Sequence, residues 1–320
     1  MTNFYEITPL DTLFFRGSTP MEAGQYSAIS LFPPPASVLK GAFWTAYCKK
    51  NAFSFSENLH DGEIPIAIRG FFIKKTFDNG KEKYYVPAPA TWYYDSGDKA
   101  KKGSDCKDNK LCIALDKSNT FSRLNMKSSA GSIVFVVPKE DAKPLANAWI
   151  CIDFIKEPKA NFSEDSVLLT SDIYSFEART GVALDMNKIA KDGQLYSSTH
   201  IRLHEDISFV ICLESDFDFG EGKILLGGEQ RVSAYKKAKD ILFTEKFTEN
   251  NSKQYLSLMP IEATEENLSV LVASSKLFVT SGWDMAKGFH KPSVSWIPAG
   301  AVFSKKINNS CISLKDKRGE

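Results

Sequence analysis

Apolar and polar positions alternate along most of this chain, and a period of two predicts strands. "FYEITPLDTLFFR" (4–16) reads as a strand broken at Pro9. "IPIAIRGFFIKK" (64–75) reads as a strand ending at the turn "TFDNG", and "KYYVPAPATWYY" after it, with its prolines, as at most an edge strand. "GSIVFVVPKE" (131–140) and "AWICIDFI" (148–155) are short apolar runs with strand character, and "RTGVALD", "QLYSSTHIRLH", "ISFVICLE" and "QRVSAYKKA" read as further strands. "MNKIAKDG" between two of these is the expected hairpin tip, with the Asp-Gly pair at 192 and 193 as its turn. "KLFVTSGWD" and "SWIPAGAVFSKK" read as closing strands.

A helical period stands out at 37–50, where Leu39, Ala42, Phe43, Ala46 and Tyr47 share one face. Ser37 is the expected N-cap, and Lys49 and Lys50 suit the negative end of the helix dipole. Gly41 costs a helix interior about 1 kcal/mol against alanine, so it predicts close packing there or a later start. A second, short helix is expected within "TEENLSVLVASS" (264–275), with Thr264 as its cap. Strands with few, separated helices make the fold class α+β rather than doubly wound α/β. "GSTPMEAGQYSAISLFPPPA" is a long loop that carries apolar residues, and so is expected to be ordered and functional.

Composition narrows the class. The chain has 320 residues, room for two domains, and its net charge of +1 argues against a uniformly basic surface while leaving room for a local basic groove. Residues 97–127 hold eight Lys/Arg against four Asp, which reads as a solvated insertion or as a basic arm. Six scattered cysteines, no CxxC, no signal-like start and no long apolar run predict a reduced, cytoplasmic protein that does not enter a membrane. P-loop, GxSxG and HExxH motifs are absent. His200 and His204, four apart, share a face; a metal site or metal-independent RNA cleavage is conceivable there. Cys106 and Cys112 lack partner ligands for zinc. "LLGGEQRVS" (225–233) places two glycines before a charged cluster. Either something approaches the backbone closely at that point, or it is an ordinary turn.

Four blocks then resemble, in order, one family. "PLDTLFFRGSTPMEAGQYSA" with "FPPPASVLKGAF", "EARTGVALDMNKIAKDGQLYSSTHIRL", "LLGGEQRVS" and "SGWDMAKGFHKPSVSWIPAGAVF" are similar to segments of the third subunit of the type III-B CRISPR (Cmr) effector complex, a RAMP-superfamily protein. The blocks span residues 9–303. The resemblance implies two ferredoxin-like (RRM-like) domains, here expected at 1–240 and 241–320. The second is expected to be incomplete, because the chain ends at "SCISLKDKRGE" without the family's further glycine-rich, aromatic close. It implies a non-catalytic subunit without a cofactor. Such a subunit holds the 5′ tag of the CRISPR RNA and neighbours the large polymerase/cyclase-type subunit and the first backbone RAMP subunit.

With RNA as the expected partner, Gly227 and Gly228 admit a ribose–phosphate chain to backbone N–H groups, and Arg231 forks onto a phosphate. Glu229 is expected to pair with a nearby cation and fix it. Arg16 at the mouth of the long loop, Lys40 near the helix start, and Arg179, which could pair with Glu177, are further phosphate candidates or surface ion pairs. Tyr196 and His200 could offer faces for base stacking, although a core tyrosine is the commoner fate. Trp283, Lys287, His290 and Lys291 interleave an aromatic with cations, which suits RNA or a protein partner. The alternative to the subunit reading is a standalone RAMP endoribonuclease with His200 or His204 as acid or base.

Overall fold

The computed structural model describes residues 2–16, 28–51, 64–95, 109–116, 135–136, 142–239, 241, 254–281, 283–284 and 288–314. Contacts divide the chain into two units that interleave in sequence: 1–68, 173–239 and 279–294 form one, and 69–172, 240–278 and 295–320 the other. This partition differs from a single cut near 240.

The first unit holds the elements that matter for the site. These are β1 (Thr2–Pro9), β2 (Ala28–Ile29), α1 (Ala36–Lys50), β3 (Tyr174–Leu184), β4 (Ala190–Leu203), β5 (Ile207–Ser215), β6 (Gly222–Leu225) and β7 (Val232–Lys237). One antiparallel sheet runs in the order β5-β1-β7-β6. Tyr5 and Ile7, two apart on β1, are fully buried, as a period of two requires. Tyr5 lies 5.5 Å from Phe43 of α1, and Phe43 lies 5.1 Å from Tyr235 and 5.4 Å edge-on to Phe219. This aromatic cluster fastens the helix to the sheet.

The helix begins at Ala36, with Pro35 as N-cap residue and no side-chain cap bond, so the Ser37 assignment is corrected: the chain turns helical one residue before it. Backbone serves the start instead, the Pro35 carbonyl accepting from the Val38 N–H at 3.0 Å and the Leu39 N–H at 3.3 Å. A Cβ placed on Gly41 would meet nothing within 4 Å. The helix neither packs closely there nor starts later, and nothing in the structure explains the glycine.

A long antiparallel hairpin, β3–β4, forms the second sheet, with β2 joined in parallel to β4 at Ser198 and Thr199. Its turn lies at Asp185–Ile189, so the Asp192–Gly193 assignment is corrected: those residues sit inside β4. Asp185 makes the turn. Its Oδ1 accepts from the backbone N–H groups of Asn187 and Ile189, both at 2.8 Å, and Lys188 takes a left-handed φ of 61°.

In the second unit, strand Glu82–Pro87 pairs with both Ile66–Thr76 and Trp149–Cys151. The edge-strand expectation is therefore corrected; the prolines fall at and beyond the strand's last residue and leave its donors free to pair. Strand Trp149–Cys151 passes directly into helix Ile152–Lys156, which the sequence reading treated as extended. Helix Glu265–Ser269 is capped as expected, the Thr264 hydroxyl accepting from the Asn267 N–H at 3.2 Å. Ile261, Ile297, Ala301, Phe303 and Cys311 form a core cluster. Cys48, Cys112, Cys151, Cys212 and Cys311 are buried and unbridged. Among the described residues no helix is long and apolar enough to cross a membrane. Residues 17–27 of the long loop 17–36, and most of the basic stretch 97–127, lie outside the described residues.

Candidate nucleic-acid interface

Alternation on the hairpin fixes which side chains meet. Glu177 stands opposite His200 and Arg179 opposite Ser198, so these four, with Arg202, share one face of β3–β4. The chain leaving β1 pairs antiparallel along the edge of β4. Leu13 and Ile201 exchange backbone hydrogen bonds of 2.8 Å each way, and the backbone of Arg16 bridges that of Ser30. This edge pairing brings Asp11, Thr12 and Phe14 beside the charged face.

The turn between β6 and β7 reaches the same place. Its ends are tied by the Leu226 N–H donating to the Arg231 carbonyl at 2.7 Å, and Gly227, Glu229 and Gln230 take φ values of 84°, 54° and 51°. The Gly228 N–H donates to the Phe14 carbonyl at 2.7 Å. A Cβ on Gly227 would lie 2.4 Å from that carbonyl oxygen, and one on Gly228 2.9 Å from the Phe14 ring. Something does approach these glycines closely, but it is the backbone of Phe14. The assignment of Gly227 and Gly228 as a phosphate nest is corrected on that ground: the space that the missing Cβ atoms leave is filled by protein.

His200 is corrected for the same reason. It is 0% exposed, its ring stacked 5.1 Å from that of Phe14 at 16°, so it has no face for a base. Its Nδ1 pairs with the Thr12 hydroxyl at 3.1 Å, and its Nε2 lies 3.2 Å from the Ser198 hydroxyl and 3.3 Å from Glu229. Burial lowers its pKa below the usual histidine value, helped by Arg179 and Arg231 and opposed by Glu229.

Around this buried post stand three guanidinium groups and three carboxylates. Glu177 takes Arg179 Nε at 3.0 Å and Arg202 Nε at 2.6 Å. Glu229 takes one Arg231 nitrogen at 2.6 Å, the pairing expected of it. Asp11 is the hub, with Arg231 at 2.8 Å and Arg179 and Arg202 both at 3.3 Å. The Thr12 N–H hydrogen bond, then Arg179 and Arg231, lower the Asp11 pKa. Hydrogen bonds from Arg202 and Arg179 do the same for Glu177. Burial pushes Glu229 up, but Arg231 and His200 outweigh it and leave it below the carboxylate norm. Arg179 and Arg231 are thus brought together, and Arg202 joins them. Asp11 was not singled out from sequence as a site residue; its one signal is an acid two positions after the Pro9 break.

Other candidates stand apart from this network. Arg16 is exposed, and Lys40 is half-buried in the second turn of α1. Lys291 is half-buried beyond the short ladder that pairs Trp283 with His290. Tyr196 pairs by its backbone with Gly181. The side chains of Tyr196, Trp283 and His290, and all of Lys287, lie outside the described residues. His204 sits in the turn after β4, its N–H bonded to the Ile173 carbonyl at 3.1 Å. Among the described residues, no group of three or more His, Cys, Asp or Glu is placed to hold a metal ion.

The sequence profile of the CRISPR-associated protein family Cas_Cmr3 matches residues 5–265, which include every member of this charged network. The chain belongs to the Cas_Cmr3 family. Two solved structures share the family member's fold. The type III-B Cmr-beta complex bound to cognate target RNA and AMPPnP, state 1, contains a chain 18% identical, with a TM-score of 0.55 over 94% of this chain and 85% of that one. The Cmr-beta complex bound to cognate target RNA alone contains one 19% identical, with a TM-score of 0.54 over 94% and 86%. No curated protein sequence matches the chain. The resemblance carried by the four sequence blocks is borne out, although the last block lies beyond the matched residues.

Proposed function

We propose that this Cas_Cmr3 member is a non-catalytic, CRISPR RNA-binding subunit of a type III-B effector complex. In this reading it holds the 5′ tag of the RNA, docks on the large polymerase/cyclase-type subunit and adjoins the first backbone RAMP subunit, as a cytoplasmic protein built on ferredoxin-like domains. Family membership supports the assembly role. The observation that carries RNA binding is the convergence of Arg179, Arg202 and Arg231 on one partly exposed face beside a long hairpin. Guanidinium forks are suited to phosphate oxygens, and carboxylate partners hold these three in place beforehand.

The hairpin also exposes apolar side chains that a lone protein gains nothing from exposing: Met186 and Ile189 at the turn, and Phe176 on the face away from the charges. These fit a chain that works against partners. A non-catalytic role is supported by the state of His200, sealed under Phe14 with both ring nitrogens engaged.

Incubating the full chain with labelled repeat RNA tests both halves. The expected result is salt-dependent retention of intact RNA. Metal-independent cleavage abolished by His204→Ala would overturn the non-catalytic reading in favour of an endoribonuclease. Absence of any binding at low salt would overturn RNA binding.

A further inference from the structure

The three arginines do not need Asp11 to be held in place. Arg179 and Arg202 already share Glu177, and Arg231 already has Glu229. Asp11 is a third acid, placed where the three forks meet, and among the described residues it alone is ion-paired with all of them. It arrives from a different segment, the chain that leaves β1, and its side chain is 43% exposed. An anionic group with two oxygens, ringed by guanidinium N–H donors and reachable from solvent, occupies the position a bound phosphate would take.

We propose that Asp11 is an internal stand-in for an RNA phosphodiester, and that a backbone phosphate displaces it from Arg179, Arg202 and Arg231 when RNA binds. This rests on the RNA-binding reading above and adds a competition to it. With Asp11 in place the three positive charges are balanced by three negative ones; with Asp11 swung out, one positive charge is uncompensated and matches a singly charged phosphodiester. Glu177 and Glu229 stay and keep the forks aimed. The arrangement weakens stray RNA contacts, since only an RNA held by further contacts outcompetes the tethered acid.

The test is fluorescence anisotropy of a labelled single-stranded RNA with the full chain over a series of salt concentrations. Asp11→Asn is expected to bind several-fold more tightly than wild type at low salt, with the slope of log affinity against log salt steeper by about 0.7 for the one phosphate contact now unopposed. Arg202→Gln, on the most exposed of the three arginines, is expected to bind more weakly, with a slope shallower by a similar amount, and circular dichroism confirms folding of both variants. RNA binding by wild type that is unchanged in both variants sinks this inference and leaves the RNA-binding reading standing. No binding by any of the three proteins sinks both.

Discussion

Gly227→Ala separates packing from ligand binding at the glycine pair. In the native turn Gly227 has φ 84°, and a Cβ would sit 2.4 Å from the Phe14 carbonyl oxygen. The left-handed conformation costs an alanine about 1 kcal/mol. The clash is with backbone, so either the turn or the Phe14 segment must move. Moving it breaks the 2.7 Å bond from the Gly228 N–H to that carbonyl, a further loss of roughly 0.5–1.5 kcal/mol. The sum is about 1.5–2.5 kcal/mol, or a fall in melting temperature of roughly 2–4 °C for a chain of this size. Gly228→Ala meets a ring atom at 2.9 Å instead, and that ring can shift slightly over His200, so it should cost only about 1 kcal/mol. Thermal unfolding of the two full-length variants beside wild type reads the difference. If Gly227→Ala melts with wild type while losing RNA, the glycines are reserved for a ligand and the packing account is wrong.

Three further outcomes follow from other parts of the structure. Gly41→Ala should stabilise the protein by about 1 kcal/mol, because a methyl there meets nothing and the helix gains propensity; a lower melting temperature would contradict this. Phe43→Ala, which empties the cluster of Tyr5, Phe219 and Tyr235, should cost about 3–5 kcal/mol in urea unfolding. Burial lowers the His200 pKa below the ordinary 6.5, so the unfolded chain binds a proton before the folded one does. Stability should therefore fall as pH drops from 6.5 towards the folded value, a loss that His200→Gln removes in a pH series of melting curves.

Alternation located β1 and β7 because each has one face turned to a core, whereas β5, buried on both faces, was readable as a continuous apolar run. The rule against proline misjudged 82–87, since it concerns the donor a proline lacks and not the residues before it. Asp-Gly is a strong turn signal, yet the hairpin turns at Asp185, whose side-chain bonds to Asn187 and Ile189 have no counterpart at 192–193. Within the site, Glu177 with Arg179 was legible because partners two apart on a strand share a face, and Glu229 with Arg231 because an acid and a cation two positions apart are within reach of each other. Asp11 with Arg231, 220 positions apart, was not, because no local period records that the chain leaving β1 pairs along the edge of the hairpin. The burial of His200 was hidden for the same reason: its cover, Phe14, comes from that edge segment.

The most direct test is affinity purification of the full chain from its native host, with the retained RNA sequenced and the retained proteins identified. The account predicts short RNAs that begin with a common repeat-derived tag, together with a large polymerase-type subunit and RAMP subunits. A clean monomer, free of RNA and partners, would contradict it.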